Sequence, residues 1–215
     1  MVTRDRKELP PYARMPYEFD IDRIKSELVD MPTEVRDYIS LTCDANSAYS
    51  SYDKNTYHLI PITDFDEENV KEFATYKKAG RKDMRFDERR YTKILDWARN
   101  SYIEEVLGTF KGQVTRSHVR RMNPGGYLKF HMDYNTKYSV RYHIPLTTND
   151  DCVFKFKLEL DGEEECMHMP ADGSCYFFNQ GYYHQAENNG KTDRDHLVLA
   201  VHGQEDIQHL LSLIH

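Results

Sequence analysis

The chain has 215 residues and a formal net charge of −7, with 29 basic and 36 acidic side chains. This length suits one domain with a buried core, and the mixed charges give no broad basic surface for phosphate backbones, so we expect no nucleic-acid partner. No apolar stretch approaches the roughly 20 residues that span a bilayer, and no apolar segment follows the basic N-terminal residues as in a secretory signal. We therefore expect a soluble cytoplasmic protein without a membrane partner.

The first part of the chain, residues 1–111, mixes proline-punctuated extended pieces with two helical patterns. Apolar residues recur at spacings of three and four within residues 20–28, and again within residues 89–107, where Gly108 ends the pattern. The sequence therefore predicts a short helix and a longer amphipathic helix. We expect this part to brace the rest of a single domain.

After Gly112 the hydrophobic period changes to two, in short runs rich in Val, Tyr, Phe and Ile that are divided by turn-forming residues. The predicted strands are residues 114–122, 127–134, 139–147, 153–160, 165–169, 174–179, 183–187 and 194–202. Eight short strands with no helix between them predict a mainly β core with flanking helices, either a sandwich or a barrel, within residues 112–203.

The C-terminal residues 204–215 carry another amphipathic pattern, made by Ile207, Leu210, Leu211 and Ile214. We expect this predicted helix to pack against the core. The same stripe could form a dimer seam, so monomer and homodimer both stay open. The four cysteines contain no C-x-x-C pair, so we predict free thiols rather than a zinc knuckle or a redox motif.

Two residues of metal-ligating type stand two positions apart in the second predicted strand. His131 and Asp133 project to the same side of an extended chain, because alternate side chains of a strand point the same way. His184, in a later predicted strand, could supply a third ligand. Two imidazoles and a carboxylate on one face of a metal are typical of non-haem iron(II) oxygenases, because three positions stay open for a co-substrate and oxygen. An isolated His-x-Asp pair is also common as an ordinary hydrogen-bonded pair.

An arginine follows the third candidate ligand at the start of the last predicted strand. Arg194 lies ten residues after His184. Its guanidinium could hold the distal carboxylate of a dicarboxylate through a bidentate contact. The ordinary alternative is a surface ion pair with Asp193 or Asp195.

Polar residues also alternate with apolar ones in the third predicted strand. Arg141 and His143 share one face of this strand, whereas Tyr142 and Ile144 share the other. Arg141 and His143 would need a polar ligand if they faced inward, and they would be solvated if they faced outward. The alternation alone does not choose between these orientations.

Together these residues resemble the aspartyl/asparaginyl β-hydroxylase family of 2-oxoglutarate and iron(II)-dependent dioxygenases, which includes bacterial hydroxylases of free proline. The resemblance covers about residues 119–201. Its motifs, in chain order, are Arg121-Met-Asn-Pro-Gly-Gly, His131-x-Asp133, Arg141-Tyr-His143-Ile-Pro-Leu146, His184-x-Ala186-x-Asn188 and Arg194 before an apolar strand. Several motifs in the right order are more specific than His-x-Asp alone.

This resemblance implies a double-stranded β-helix, or jelly roll, with iron(II) between its two sheets. It implies that the iron ligands are His131, Asp133 and His184. It also implies that Arg194 is the main anchor of 2-oxoglutarate and that Arg141 and His143 line the co-substrate pocket. Some relatives lack the carboxylate ligand, and its presence as Asp133 favours a complete and active site.

The expected reaction is hydroxylation of an unactivated C–H bond with oxygen and 2-oxoglutarate as co-substrates, and ascorbate could stimulate it. We expect an amino acid or a related small molecule as the substrate, and an Asp, Asn or Pro residue in a protein is the alternative. Two other classes stay open, namely a cupin-type metalloenzyme without 2-oxoglutarate and a binding module without catalysis. Residues 1–111 carry no motif that identifies the substrate.

Overall fold

The structure is a computed structural model, and it describes residues 4–29, 57–66, 68 and 87–208. Within these ranges the chain forms two α-helices and a series of mostly short strands. The helices are α1 (Ile21–Val29) and α2 (Tyr102–Gly108). The strands are β1 (Tyr12–Glu18), β2 (Tyr57–Pro61), β3 (Thr63–Asp64), β4 (Lys93–Ile94), β5 (Gln113–Met122), β6 (Tyr127–His131), β7 (Val140–Thr147), β8 (Cys152–Lys157), β9 (Glu165–Met167), β10 (Ser174–Phe178), β11 (Tyr183–Asn188) and β12 (Arg194–His202).

Two antiparallel sheets face each other and form the core. The larger sheet has the strand order β1-β10-β7-β12-β5-β2, and the smaller sheet has the order β6-β11-β8-β9. Met122 and Phe178 of the larger sheet belong to one buried cluster with Leu128, Phe154 and Phe156 of the smaller sheet. This arrangement confirms the predicted mainly β fold of the double-stranded β-helix type.

The larger sheet is buried on both faces. Its outer face packs against the helices, because Tyr142 and Leu197 share a second buried cluster with Ile24 of α1 and Ile103 of α2. Strand β12 is buried along all but its last residue. Helices therefore cover one face of this sheet with apolar contacts, and its other face can carry the polar side chains of a site.

All eight strands predicted after Gly112 are present, although several end one to three residues earlier than predicted. Two further strands of the larger sheet come from the first part of the chain, where we predicted extended pieces but no sheet strand. Strand β1 pairs with β10, and β2 pairs with β5, so these segments form the two edges of the larger sheet. The division into residues 1–111, 112–203 and 204–215 stays a prediction.

The prediction of one long helix over residues 89–107 is wrong. Only α2, the last part of this segment, is α-helical. Asn100 has a positive φ of 57°, which no α-helix accommodates, and the side chain of Ser101 then caps the new helix by accepting a hydrogen bond from the Glu104 amide. The carboxylate of Glu27 accepts from the Tyr102 and Ile103 amides at 2.6 and 3.0 Å. Upstream, the apolar residues Ile94, Trp97 and Ala98 still pack in the core, but they lie in a two-residue strand and a 3-10 turn.

The helix predicted over residues 20–28 is confirmed as α1. The predicted C-terminal helix lies mostly outside the described residues, and of its apolar stripe only Ile207 is described, fully buried in the cluster that α1 and α2 share with the larger sheet. Cys152, Cys166 and Cys175 are free thiols, and Cys43 lies outside the described residues. Neither of the described helices has the length and apolarity required to cross a membrane.

Candidate active site

Three side chains of ligating type converge on the inner face of the smaller sheet. His131 is the last residue of β6, and His184 lies directly opposite it in the neighbouring strand β11. Asp133 follows two residues after His131. One ligating atom from each of the three residues lies within 4.8 Å of the other two, and the centroids of the two imidazole rings are 4.2 Å apart. This spacing suits a single metal ion.

The backbone fixes the orientation of both imidazoles. Nδ1 of His131 donates to the Lys129 carbonyl at 2.8 Å, and Nδ1 of His184 donates to the Tyr182 carbonyl at 2.9 Å. Because a carbonyl can only accept, each Nδ1 carries the proton and each Nε2 keeps its lone pair for a metal. The Asp133 amide donates to a backbone carbonyl at 2.9 Å, which holds this residue in place after its strand has ended.

The charges of the three residues also suit a divalent cation. Burial lowers the pKa of His184 to about 4, and the neighbouring His131 adds to this decrease. Burial acts to raise the pKa of Asp133, but the nearby His184, His131 and Arg141 outweigh it, so this pKa lies below its usual value. At neutral pH the site therefore presents a neutral His184 and an ionised Asp133, which are the forms that bind iron(II).

The turn between β5 and β6 helps to position His131 relative to His184. Gly125 has a φ of 75°, which favours glycine, and its amide donates to the Asn188 carbonyl at 2.8 Å. The side-chain amide of Asn188 donates to the Met122 carbonyl at 2.9 Å. The Asn-Pro-Gly-Gly motif is therefore tied to the end of β11. A register shift between His184 and Ala186 then brings His131 opposite His184.

Arg194 points into the space between the sheets. It is 2% exposed, and its guanidinium lies 4.4 Å from the centroid of the Phe154 ring. Its Nε donates to Nε2 of His196 at 3.2 Å. The ion pair considered as an alternative is made by its neighbour, because Asp195 faces outward and binds Arg121 through two contacts of 2.6 and 2.8 Å. Arg194 thus faces the interior, on the side where a ligand between the sheets would meet its guanidinium.

The same inner face carries Arg141 and His143 on strand β7. Both are buried, and Tyr142 and Ile144 pack on the opposite side against the helices. Nδ1 of His143 lies 3.2 Å from Nδ1 of His196. The structure therefore resolves the orientation that alternation left open, and it brings these two residues to the face that also carries Arg194.

His196 is a residue of this pocket that we did not predict. Its position two residues after Arg194 in the same strand was the available signal, because both side chains must share one face. Burial holds the pKa of His196 and of His143 well below the usual value, and the positive charge of Arg194 adds to the decrease. Both imidazoles are therefore neutral at pH 7, and the arginines give the pocket a positive field that suits a dianion.

The fold and the converging ligands define a class of protein, the metal-dependent enzymes of the double-stranded β-helix fold. Within this class the chain belongs to the aspartyl/asparaginyl beta-hydroxylase family, whose family model matches residues 66–203. The family prediction is confirmed. The protein is a 2-oxoglutarate and iron(II)-dependent hydroxylase, and its substrate does not follow from this assignment. No curated protein sequence matches the chain at a significant level.

Several solved structures are similar to this chain. An oxidoreductase of the 2OG-Fe(II) oxygenase family from Burkholderia pseudomallei is similar with a TM-score of 0.56 and 15% identity, over 90% of this chain and 85% of that one. A Pseudomonas putida prolyl-4-hydroxylase has a TM-score of 0.43 and 16% identity, over 89% and 91% of the two chains. A cupin domain from Bordetella pertussis has a TM-score of 0.32 and 16% identity, over 43% of this chain and 85% of that one. At 15% identity the similarity to the Burkholderia oxidoreductase concerns the fold alone.

Proposed function

We propose that this enzyme hydroxylates an unactivated C–H bond of an amino acid or a related small molecule, with iron(II) held by His131, Asp133 and His184. One observation carries the assignment of the ligands. Their ligating atoms lie within 4.8 Å of one another, and a backbone carbonyl accepts from Nδ1 of each imidazole, which leaves both Nε2 atoms for a metal. Bound iron(II), together with 2-oxoglutarate and oxygen, would supply the oxidising power for the hydroxylation and release succinate and carbon dioxide.

In this proposal Arg194 binds the distal carboxylate of 2-oxoglutarate. The guanidinium is buried, so its contact with a carboxylate is not weakened by water. His196 orients it, and His143 lines the same pocket. Arg141 lies two residues further from Arg194 along the same face of β7, where we expect it to face the substrate rather than the co-substrate. The buried positive charge of this pocket supports a dianionic co-substrate.

Buried aromatic side chains lie beside the proposed metal ligands. Phe178 lies edge-on to the His184 ring at 4.9 Å, and it also contacts Phe154 and Phe156 at 5.0 and 4.9 Å. Apolar rings beside the metal site exclude water, which strengthens the electrostatic contacts made there and keeps water from the reacting groups.

Some details of the function stay at the level of sequence predictions. A protein-bound Asp, Asn or Pro residue is the alternative substrate. Stimulation by ascorbate, the choice between monomer and homodimer, and the cytoplasmic location also stay predictions.

Replacement of Asp133 by Ala tests the proposed metal site. Mutation of a residue that only hydrogen-bonds to a metal ligand typically lowers metal affinity or activity by roughly 10- to 100-fold. We therefore expect loss of a ligand itself to reduce substrate-dependent succinate formation by about 100-fold or more. Amino acids, peptides and small metabolites are screened with iron(II), 2-oxoglutarate and ascorbate, and iron content is measured in protein purified without oxygen. The exposed Asp161, replaced by Ala, is the matched control. Unchanged turnover and iron content in D133A would remove the assignment.

A further inference from the structure

A short 3-10 turn, Glu88–Arg90, packs against strands β5 and β12 and brings a carboxylate into the protein interior. Glu88 is 3% exposed. Its Oε2 accepts a hydrogen bond from Nη2 of Arg141 at 2.9 Å. Its Oε1 is buried and has no hydrogen-bond partner among the described residues. Half of this carboxylate is therefore available to a ligand.

Arg141 is likewise a buried side chain with a polar atom that no described residue partners, but it is positively charged. It is 7% exposed, and its Nε donates to Oε1 of Gln180 at 3.0 Å. Its Nη1 is buried without a hydrogen-bond partner in the part of the chain that the structure describes. An acceptor of Glu88 and a donor of Arg141 thus lie on two side chains that are in contact, and the described residues supply a hydrogen-bond partner to neither atom.

His118 adds a third buried polar side chain to this region. Val198 is the Cα partner of both His118 and His143, so the two histidines lie in one row across strands β5, β12 and β7. His118 is 3% exposed, and neither of its ring nitrogens has a partner among the described residues. Burial, followed by the charge of Arg120, lowers its pKa well below the usual value. The neutral ring therefore offers one donor and one acceptor.

This polar group adjoins the metal ligands. Gln180 links the two, because its side chain accepts from Arg141 and its backbone carbonyl accepts from the Asp133 amide at 2.9 Å. Phe178, the Cα partner of Arg141, contacts the His184 ring. Buried polar atoms are nearly always hydrogen-bonded in native proteins, so several unsatisfied ones beside a reaction centre indicate a binding site.

We propose that Glu88, Arg141 and His118 bind the two charged ends of a free α-amino acid substrate. Glu88 Oε1 accepts from the ammonium group, and Arg141 Nη1 donates to the carboxylate, to which the neutral His118 adds a hydrogen bond. A zwitterion satisfies an acceptor and a donor that lie side by side, whereas a residue inside a peptide has neither charge. This inference rests on the proposed function, and it assigns Glu88 as the residue that selects a free amine.

The test compares the twenty common L-amino acids with their Nα-acetyl derivatives. Binding to the enzyme with 2-oxoglutarate is measured by calorimetry, and formation of the anaerobic iron(II)–2-oxoglutarate complex is followed separately by its visible spectrum. We expect at least one free amino acid to bind and to stimulate succinate release. Its acetylated form should bind about tenfold more weakly or worse, because acetylation removes the charge that Glu88 recognises.

The variant E88Q makes the test specific to one residue. Glutamine keeps the length and an oxygen for Arg141 but loses the charge, so we expect the Kd of the free amino acid to rise about 10- to 100-fold and the discrimination against the acetylated form to shrink. The Kd of 2-oxoglutarate should change less than threefold. The matched control is E187Q, since Glu187 pairs with Lys155 at 3.0 Å and alternates with the inward-facing His184 and Ala186. E187Q should change neither the Kd of the free amino acid nor the Kd of 2-oxoglutarate.

Each outcome decides between the hypotheses. Equal binding of free and acetylated amino acids, stimulation by peptides alone, or no binding of any amino acid overturns the inference. An equal weakening of amino acid and 2-oxoglutarate in E88Q also overturns it, because it indicates a merely structural role. If E88Q does not fold, the wild-type comparison decides. A missing iron(II)–2-oxoglutarate complex refutes the proposed function instead, while calorimetry still tests amino-acid recognition.

Discussion

At the scale of single residues, two residues that are adjacent in a strand have different roles, because their side chains point to opposite faces of the sheet. Arg194 faces the interior, where it contacts His196 and the Phe154 ring. Asp195, the next residue, faces outward and binds Arg121. One arginine is thus held for a ligand in a dry pocket, and the other forms a partly exposed ion pair, which contributes little to stability.

We expect R194A to raise the KM for 2-oxoglutarate by about 100-fold, because a buried charge-assisted contact is worth roughly 2–5 kcal/mol. Initial rates of succinate formation over a range of 2-oxoglutarate concentrations measure this effect. R121A is the control, and it should leave this KM unchanged. An R194A enzyme with the wild-type KM would show that another residue anchors the co-substrate.

A second residue joins the C-terminal segment to the start of the core. Asp206 is 4% exposed and accepts hydrogen bonds from the Tyr17 hydroxyl at 2.7 Å and from the Lys111 and Gly112 amides, both at 3.0 Å. In D206N one oxygen becomes an NH2 group, which cannot accept from an amide. We expect the free energy of unfolding to fall by about 1–3 kcal/mol in urea denaturation. The same change at the exposed Asp161 should have no effect, and an equally stable D206N would contradict this role.

At the scale of elements, strand β7 separates packing from chemistry. Tyr142 and Ile144 face the helices in the apolar cluster of the outer face, and Arg141 and His143 face the smaller sheet. The alternation of the sequence predicts two unlike faces but does not say which one is inside. Both faces are covered here, so every residue of β7 but the last is buried.

The two faces of β7 should respond differently to mutation. I144A removes a fully buried side chain, so we expect a loss of about 2–5 kcal/mol in the free energy of unfolding with little change in the KM for 2-oxoglutarate. H143A should raise this KM with a smaller loss of stability. Denaturation curves and steady-state kinetics of both variants measure the difference. A reversed pattern would mean that the inner and outer faces are assigned wrongly.

At the scale of the whole molecule, the interior between the sheets holds several uncharged histidines among arginines. Burial comes first among the causes that lower the pKa values of His118, His143 and His196, and nearby arginines add to it. This arrangement requires two closed sheets, because only their contact removes water from these rings. The free energy of unfolding therefore depends on whether these histidines are protonated.

The metal-free protein should lose stability as the pH falls from 7 to 5. Four buried histidines, His118, His143, His184 and His196, titrate near their ordinary pKa of about 6.5 in the unfolded chain but below it in the fold, so the unfolded state binds more protons in this range. Each histidine contributes up to about 1.4 kcal/mol per pH unit. Urea denaturation at a series of pH values measures the slope, and H118N should reduce it by about a quarter, because it removes one of four such histidines. An unfolding free energy that stays constant from pH 7 to 5 would contradict this coupling.

The sequence alone determined the local geometry. Alternation predicted the eight strands after Gly112, and the two-residue spacing placed His131 and Asp133 on one side, because strand geometry depends only on neighbouring residues. The error at residues 89–107 has a related cause, since apolar spacing does not reveal a left-handed residue such as Asn100 or a cap supplied by Glu27 from another helix.

Only the tertiary structure decided which residues meet across the interior. It turned Arg194 inward and Asp195 outward, chose the inner face of β7, and placed Glu88 against Arg141, which is 53 positions away in the chain. These contacts depend on how two sheets and a short turn pack, and that packing is set by the burial of the whole domain rather than by any local pattern. The chemistry of the metal site can therefore be predicted from the motifs, whereas the proposed recognition of the substrate depends on contacts that only the assembled fold creates.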